Sequence, residues 1–365
     1  MGSRHAPHVI IYLWVSKVYC LHDKLQLGTN TCRFLGCALL ATLQWRFTVD
    51  VLSVPNFIES LKAVIGVLEG RPHWLVYQSR LLGPWSVYWL GEMVGNIGFA
   101  YAWFIATGFF VANIAFLWAI NPMRDGVHKL AGLSLFVLLS IFFIDDRWFY
   151  AWNIYSLILF TVFLGLVIRD APLWQFCVLF LIMLFNRESV HFLSIFILIR
   201  PLADWFVENG YRLGITRRIQ NLRWVVAGAI LLASGVLTIK LLRQTLLVEE
   251  VGPVMFNMPD LAGVSLHFQH NFNLTFLANS LGMANQGIDL AVALFFPLSF
   301  VLVVMALWKL PQRFFAYTAV HGMMLLAIGL FAIINETRVF FEMTPFVTFA
   351  VLYLVGSKEM QPSDT

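Results

Sequence analysis

Charge is what this sequence has least of. Only 12% of its 365 residues are Asp, Glu, Lys or Arg, against roughly 25% in an ordinary soluble domain. A globule of this size with half the usual charge cannot cover itself with a wettable surface, which excludes a soluble enzyme and a disordered tail. Cysteine is scarce too. Cys20, Cys32, Cys37 and Cys177 show neither a CxxC pair nor paired spacing, so no disulfide framework and no thiolate metal site is expected. There is no phosphate-cradling Gly-rich loop after a strand, no Walker motif and no nucleophile elbow. The apolar run at 9–15 is short and lacks a small-residue cleavage site, so no cleaved leader is expected.

What fills the chain is apolar. Hydrophobic residues make up 60% of it, aromatics 16%, and the mean hydropathy is +0.78. Apolar stretches of about 16 to 26 residues recur, the length that crosses a hydrocarbon core of about 30 Å. The chain reads as an all-α, polytopic membrane bundle of about 10 helices. The spans fall at 34–49, 96–120, 130–144, 148–168, 173–185, 190–199, 224–242, 288–308, 314–334 and 339–355. The whole of 1–365 is one integral membrane domain: the first span, a Trp- and Tyr-rich amphipathic region over 50–94, a bundle over 95–356 and a polar tail over 357–365. The amphipathic region is expected to lie along the interface or dip into it.

The stretch 172–200 reads either as one long helix with Asn186-Arg187-Glu188 at mid-membrane or as two short half-helices. Charge favours the half-helices. With them, and with the N-terminus inside, 15 of the 24 Lys and Arg and 7 of the 20 Asp and Glu fall on the inner side, and every inner loop obeys the positive-inside rule. This places both termini in the cytoplasm of a multi-pass protein, expected in a bacterial inner membrane. Short helices at membrane depth are tolerated only where they line a protein cavity, so the break already points to a site. The basic run from Arg212 to Arg223 reads as an anchor on the inner-leaflet lipids, and no nucleic-acid partner is expected.

On the other side collect Asp50, Glu59, Arg80, Asp145, Asp146, Arg187, Glu188, Glu336 and Arg338. Ionisable residues at helix ends facing a bundle interior are costly and suggest function. Arg80, flanked by Tyr77 and Trp85, can grip a phosphate while rings hold a lipid or sugar, or it can simply snorkel to the headgroups. Arg187 and Glu188 sit in apolar surroundings and need partners; a structural ion pair pinning the two half-helices is the plainer reading. Glu336 and Arg338 are two apart and cannot face each other on a helix, whereas Glu342, four after Arg338, can pair with it. Asp50 suits a general base or an ordinary polar end-cap. Asp145 and Asp146 are the weak candidates for a divalent cation.

Three segments carry a resemblance. Tyr77-Gln78-Ser79-Arg80-Leu81-Leu82-Gly83-Pro84, Asn186-Arg187-Glu188-Ser189 and Glu336-Thr337-Arg338-Val339-Phe340 with Pro345 downstream resemble, in order and rough spacing, a pattern of bacterial GT-C-type polytopic membrane glycosyltransferases. The resemblance implies transfer of a sugar from a polyprenyl-phosphate-linked donor to a cell-envelope glycan or glycolipid at the outer membrane face. It implies a catalytic acid just after the first span, where Asp50 stands; many members have two close acids there, and here the next is Glu59. It also implies that Tyr77, Arg80, Arg187, Glu188, Glu336 and Arg338 bind the substrate. The other classes the residues allow are a flippase of a lipid-linked saccharide, for which no internal repeat is found, and a glycan polymerase.

Overall fold

A computed structural model describes residues 29–52, 56–123, 126–144, 149–208, 222–249, 287–331 and 337–356. Among them every regular element is helical. They are α1 (Thr29–Arg46), extended by a π-turn (Phe47–Leu52), α2 (Phe57–Leu68), a 3-10 turn (Leu75–Ser79), α3 (Leu82–Val94) and α4 (Ile97–Ile120). There follow α5 (Gly126–Phe142), α6 (Ala151–Ile168), α7 (Leu173–Met183), α8 (Val190–Glu208) and α9 (Leu222–Leu246). The chain closes with α10 (Gly287–Lys309), α11 (Phe315–Phe331), a 3-10 segment (Thr337–Met343) and α12 (Thr344–Val355).

Four helical segments are long and apolar enough to cross a membrane: Ile97–Ile120, Ala151–Ile168, Leu222–Leu246 and Gln312–Leu330. Four more, Lys129–Phe142, Leu173–Met183, Phe295–Lys309 and Phe340–Val355, are apolar but shorter. The break expected near Asn186 is present: α7 ends at Met183, α8 starts at Val190, and a turn carries the polar triplet. Two boundaries differ from the sequence reading. α8 continues past the expected end of its span at 199 as far as Glu208. The last expected span begins as a 3-10 segment and becomes α-helical only at Thr344, with Pro345 in its first turn, where the missing N–H has no intrahelical acceptor to lose.

α6 is the hub. Its apolar window is 83% buried, whereas that of α9 is 17% buried, so α6 is the helix around which the others pack and α9 lies at the rim. α4 and α6 run side by side in the same direction. At one end the Tyr101 hydroxyl donates to the Phe149 carbonyl. At the other, Arg169 donates to the Ala119 carbonyl at 3.3 Å and stacks 4.0 Å over Trp118. α5 returns along α4, with Phe136 stacked on Phe116 at 4.4 Å. α1 is tied to this group by amides, since buried polar groups in an apolar medium must find partners. Asn113 donates to the Gln44 side-chain carbonyl at 2.9 Å, and Gln44 donates to Ser140 at 2.6 Å.

α7 and α8 form a hairpin. Arg200 on α8 pairs with Asp170, just ahead of α7, and lies 4.7 Å over Trp224 at the start of α9. The ionisable groups therefore sort to two ends of the bundle. Arg169, Asp170 and Arg200 mark one end, with Arg313 close to Ile168 and Tyr353 there. Arg80, Arg187, Glu188, Arg243 and Glu342 gather at the other. Between the ends the outside is apolar: Leu35, Leu39, Leu43, Ile230, Leu237, Val301 and Val304 are all exposed. A continuous apolar exterior marks a surface that meets membrane or another apolar partner.

The amphipathic region supplies two short helices at the second end. α3 lies across the starts of α4 and α6: Gly83 meets Ala151, the first residue of α6, and Ser86 shares a 2.8 Å hydrogen bond with Tyr155. Gly95, at φ 71°, and Asn96, which caps α4 by accepting from the Phe99 N–H at 2.9 Å, make the corner between α3 and α4. The contact at Gly83 leaves no room for a side chain, because a Cβ there would stand 2.8 Å from the backbone of Ala151 and Trp152. We expect Gly83→Ala to lower stability by about 1–3 kcal/mol, the usual cost of overpacking. Thermal unfolding of the purified variant in detergent measures it, and an unchanged midpoint would show that α3 does not dock on α6.

Candidate functional site

The site begins with a local turn. The 3-10 turn Leu75–Ser79 closes with the Arg80 N–H on the Tyr77 carbonyl at 2.9 Å, and Gln78 ties it to the end of α2 by donating to the Val67 carbonyl at 3.0 Å. Two residues on, the Leu82 N–H donates to the Phe185 carbonyl at 2.9 Å, which joins this segment to the α7–α8 turn through the backbone. Residues 108 positions apart are thereby held in register. Arg80 reaches Glu188 at 3.4 Å.

Glu188 has a second arginine. Arg243, in the last turn of α9, pairs with its other carboxylate oxygen and also donates to the Val76 carbonyl at 3.4 Å. One carboxylate thus bridges two guanidiniums from two segments. Arg187, next in sequence, turns elsewhere. It lies 3.4 Å from Glu342, whose Oε1 also accepts from Ser189 at 2.7 Å and from Ser156 at 3.1 Å. Asn186 donates to the same Ser156 hydroxyl at 3.0 Å. The polar triplet therefore splits two ways, Asn186 and Arg187 to the Ser156–Glu342 group and Glu188 to Arg80 and Arg243, and the Arg187–Glu188 pair considered from sequence is replaced by three cross-bundle pairs. The reason is steric: adjacent residues in a turn project apart, while α6, α9 and the 3-10 segment each bring a counter-charge or hydroxyl to meet them.

Arg80 has an aromatic floor. Its guanidinium lies 4.7 Å from the Tyr77 ring and 5.3 Å from Trp152. Tyr150 stacks on Trp152 at 4.6 Å, and Tyr77 closes on both. Tyr77, Arg80, Tyr150 and Trp152 are all buried. A guanidinium over a ring face gains cation–π attraction that strengthens once water is excluded.

The structure brings together Tyr77, Arg80, Arg187 and Glu188 from the sequence-derived set. It adds Arg243, Glu342, Ser156, Tyr150 and Trp152. Arg243 looked like an ordinary charge closing an apolar helix, and nothing distinguished Trp152 within its span; only Glu342 carried a signal, as a charge near the start of the last span, and there it pointed to Arg338. Asp50 is elsewhere. It is exposed in the π-turn after α1, paired with Arg46 at 2.7 Å, and no contact among the described residues joins it to the arginine cluster. Glu336, Asp145 and Asp146 lie outside the described residues, as does the Arg338 side chain. Among the described residues no three His, Cys, Asp or Glu side chains gather as a metal centre.

Glu188 and Arg243 are only partly buried, and a hydrogen bond between charged groups in such a setting contributes about 1.5–3 kcal/mol. We expect Glu188→Gln to destabilise the fold by about that amount, and the double variant Glu188→Gln with Arg243→Gln to recover part of the loss. Unfolding in detergent of the two single variants and the double variant measures the coupling; strict additivity would deny the pair any energetic role. No family model, curated protein or solved structure matches the chain.

Proposed function

We propose that this chain is a membrane glycosyltransferase that moves a sugar from a polyprenyl-phosphate carrier to a glycan or glycolipid acceptor of the cell envelope. One observation carries the reading. Arg80, Arg187 and Arg243 come from three segments to one end of the bundle and are held there by Glu188 and Glu342 beside the Tyr77, Tyr150 and Trp152 rings. Guanidiniums fixed in place by carboxylates need little reorganisation when charge develops on a departing phosphate. Aromatic rings beside them offer a face for a sugar or an isoprenoid.

In the reaction the anomeric carbon–oxygen bond to the carrier phosphate breaks and a bond to the acceptor oxygen forms. The carrier leaves as its phosphate, countered by the arginines. The acceptor proton goes to Asp50, whose Oδ2 is paired with Arg46. Bringing Asp50 to the cluster requires the substrate to bridge them. In this reading the arginine cluster faces the outer side of a bacterial inner membrane and both termini lie in the cytoplasm. The same arginines would serve a flippase, but their position at one end of the helices, rather than between the ends, favours chemistry at a surface.

The test is deletion of the gene followed by mass spectrometry of envelope glycans and glycolipids. A missing sugar supports transfer, while a lipid-linked sugar accumulating in the inner leaflet overturns it in favour of flipping. In complementation, Arg80→Ala is expected to reduce transfer by about 100-fold, the scale on which a single stabilising donor acts, with protein levels confirmed by immunoblot. Asp50→Asn is expected to abolish it; full transfer by this variant would remove Asp50 from the mechanism.

A further inference from the structure

The same hairpin has a second polar feature at its far end. A groove of about 580 Å³ opens where the start of α7, the middle of α8 and the start of α9 meet, and Asp170, Trp174, Arg200, Asp204, Arg223 and Trp224 line it. Both signs of charge are present in equal number. Arg200 is fixed: Asp170 takes one terminal nitrogen, Asp204 stands 4.0 Å from Nε, and Trp224 lies beneath the guanidinium. Its other terminal nitrogen, Nη1, is buried without an acceptor. Arg223 and Asp170 are exposed at the rim.

An anion alone would meet Arg200 and Arg223 but would also face two carboxylates. A cation alone would face two guanidiniums. A ligand carrying a phosphate and an ammonium a few bonds apart satisfies both pairs. The surface beside the groove adds a second requirement. Trp174, Val178 and Leu181 are exposed at spacings of four and three residues, which is one face of a helix. That face runs away from the charges along α7. An α-helix of 11 residues rises about 16 Å, about half of a hydrocarbon core of about 30 Å, or the depth of one leaflet.

We propose that this groove binds a zwitterionic phospholipid, its phosphate between Arg200 and Arg223, its ammonium at Asp170 and its acyl chains along the exposed face of α7. The site is separate from the arginine cluster and does not depend on the transfer reaction.

The full-length protein, purified in detergent and stripped of lipid, is titrated with phosphatidylethanolamine or phosphatidylglycerol, and retained lipid is counted by native mass spectrometry. The wild type is expected to retain phosphatidylethanolamine at least tenfold more tightly than phosphatidylglycerol. Arg223→Gln, at an exposed position where folding is not at stake, is expected to weaken that retention about tenfold. Asp170 has φ 52°, a backbone conformation that Asn adopts as readily as Asp, so Asp170→Asn keeps the turn. That variant is expected to turn the preference towards phosphatidylglycerol. Equal retention of the two lipids by the wild type, or an Arg223→Gln variant that binds like the wild type, overturns the proposal. So does soluble glycerophosphoethanolamine competing at the same concentration as the lipid, because the face of α7 would then contribute nothing.

Discussion

A charge placed inside an apolar bundle must meet its counter-charge there, and the second end of this protein is organised by that demand. Glu188 stands in the turn between two short helices and holds Arg80 and Arg243 at once. The first arginine belongs to the segment that leads into α3, the second to the last turn of α9. Neither segment is close to the turn in sequence. Left unmatched, the buried Arg80 would cost several kcal/mol of desolvation, and the partly exposed Glu188 and Arg243 less. Together they make a junction that fixes where α9 ends and where the 3-10 turn before Arg80 sits. Glu342 repeats the device one layer further in, with Arg187 and two serine hydroxyls as its partners.

The remaining architecture rests on close approach. Gly83 lets α3 lie against the backbone at the start of α6, and Gly228 does the same for α9 against α8, where a Cβ would stand 2.5 Å from the Leu198 nitrogen. Helices in lipid gain little from the hydrophobic effect between one another, so contacts made by small residues and buried amides hold more of the packing than they would in water. The Asn113–Gln44–Ser140 chain is the polar counterpart of these glycine contacts and attaches α1 to the bundle. Both ends of the α7–α8 hairpin are then tied by ions, Asp170 with Arg200 at one and Glu188 with its two arginines at the other.

Much of the fold was legible in the chain. The length of the apolar runs marked most of the helices to within a few residues, Asn96 marked the start of α4, and the isolated polar triplet at 186–188 marked the break between α7 and α8. Local polarity failed where tertiary packing overrode it. α8 runs on through Arg200 and Asp204 because those charges find partners in Asp170 and each other. Arg80, Arg187 and Glu188 were legible as candidates because an arginine or glutamate in an apolar context is rare enough to stand out. Trp152 was not, since an aromatic in an apolar span carries no signal of its own.

Sequence alone determined that the chain is helical and apolar, where most helices begin and end, and which few charges have no solvated face to occupy. Those are properties of composition and of the length of each apolar run, which each segment carries by itself. Which charge meets which was decided only by the tertiary structure. Glu342, four residues after Arg338 in sequence, lies beside Arg187, and two serines 153 and 186 positions distant donate to it. Partner choice in a bundle depends on which helix ends arrive at the same depth, and that is set by packing across the whole molecule, which no single segment encodes.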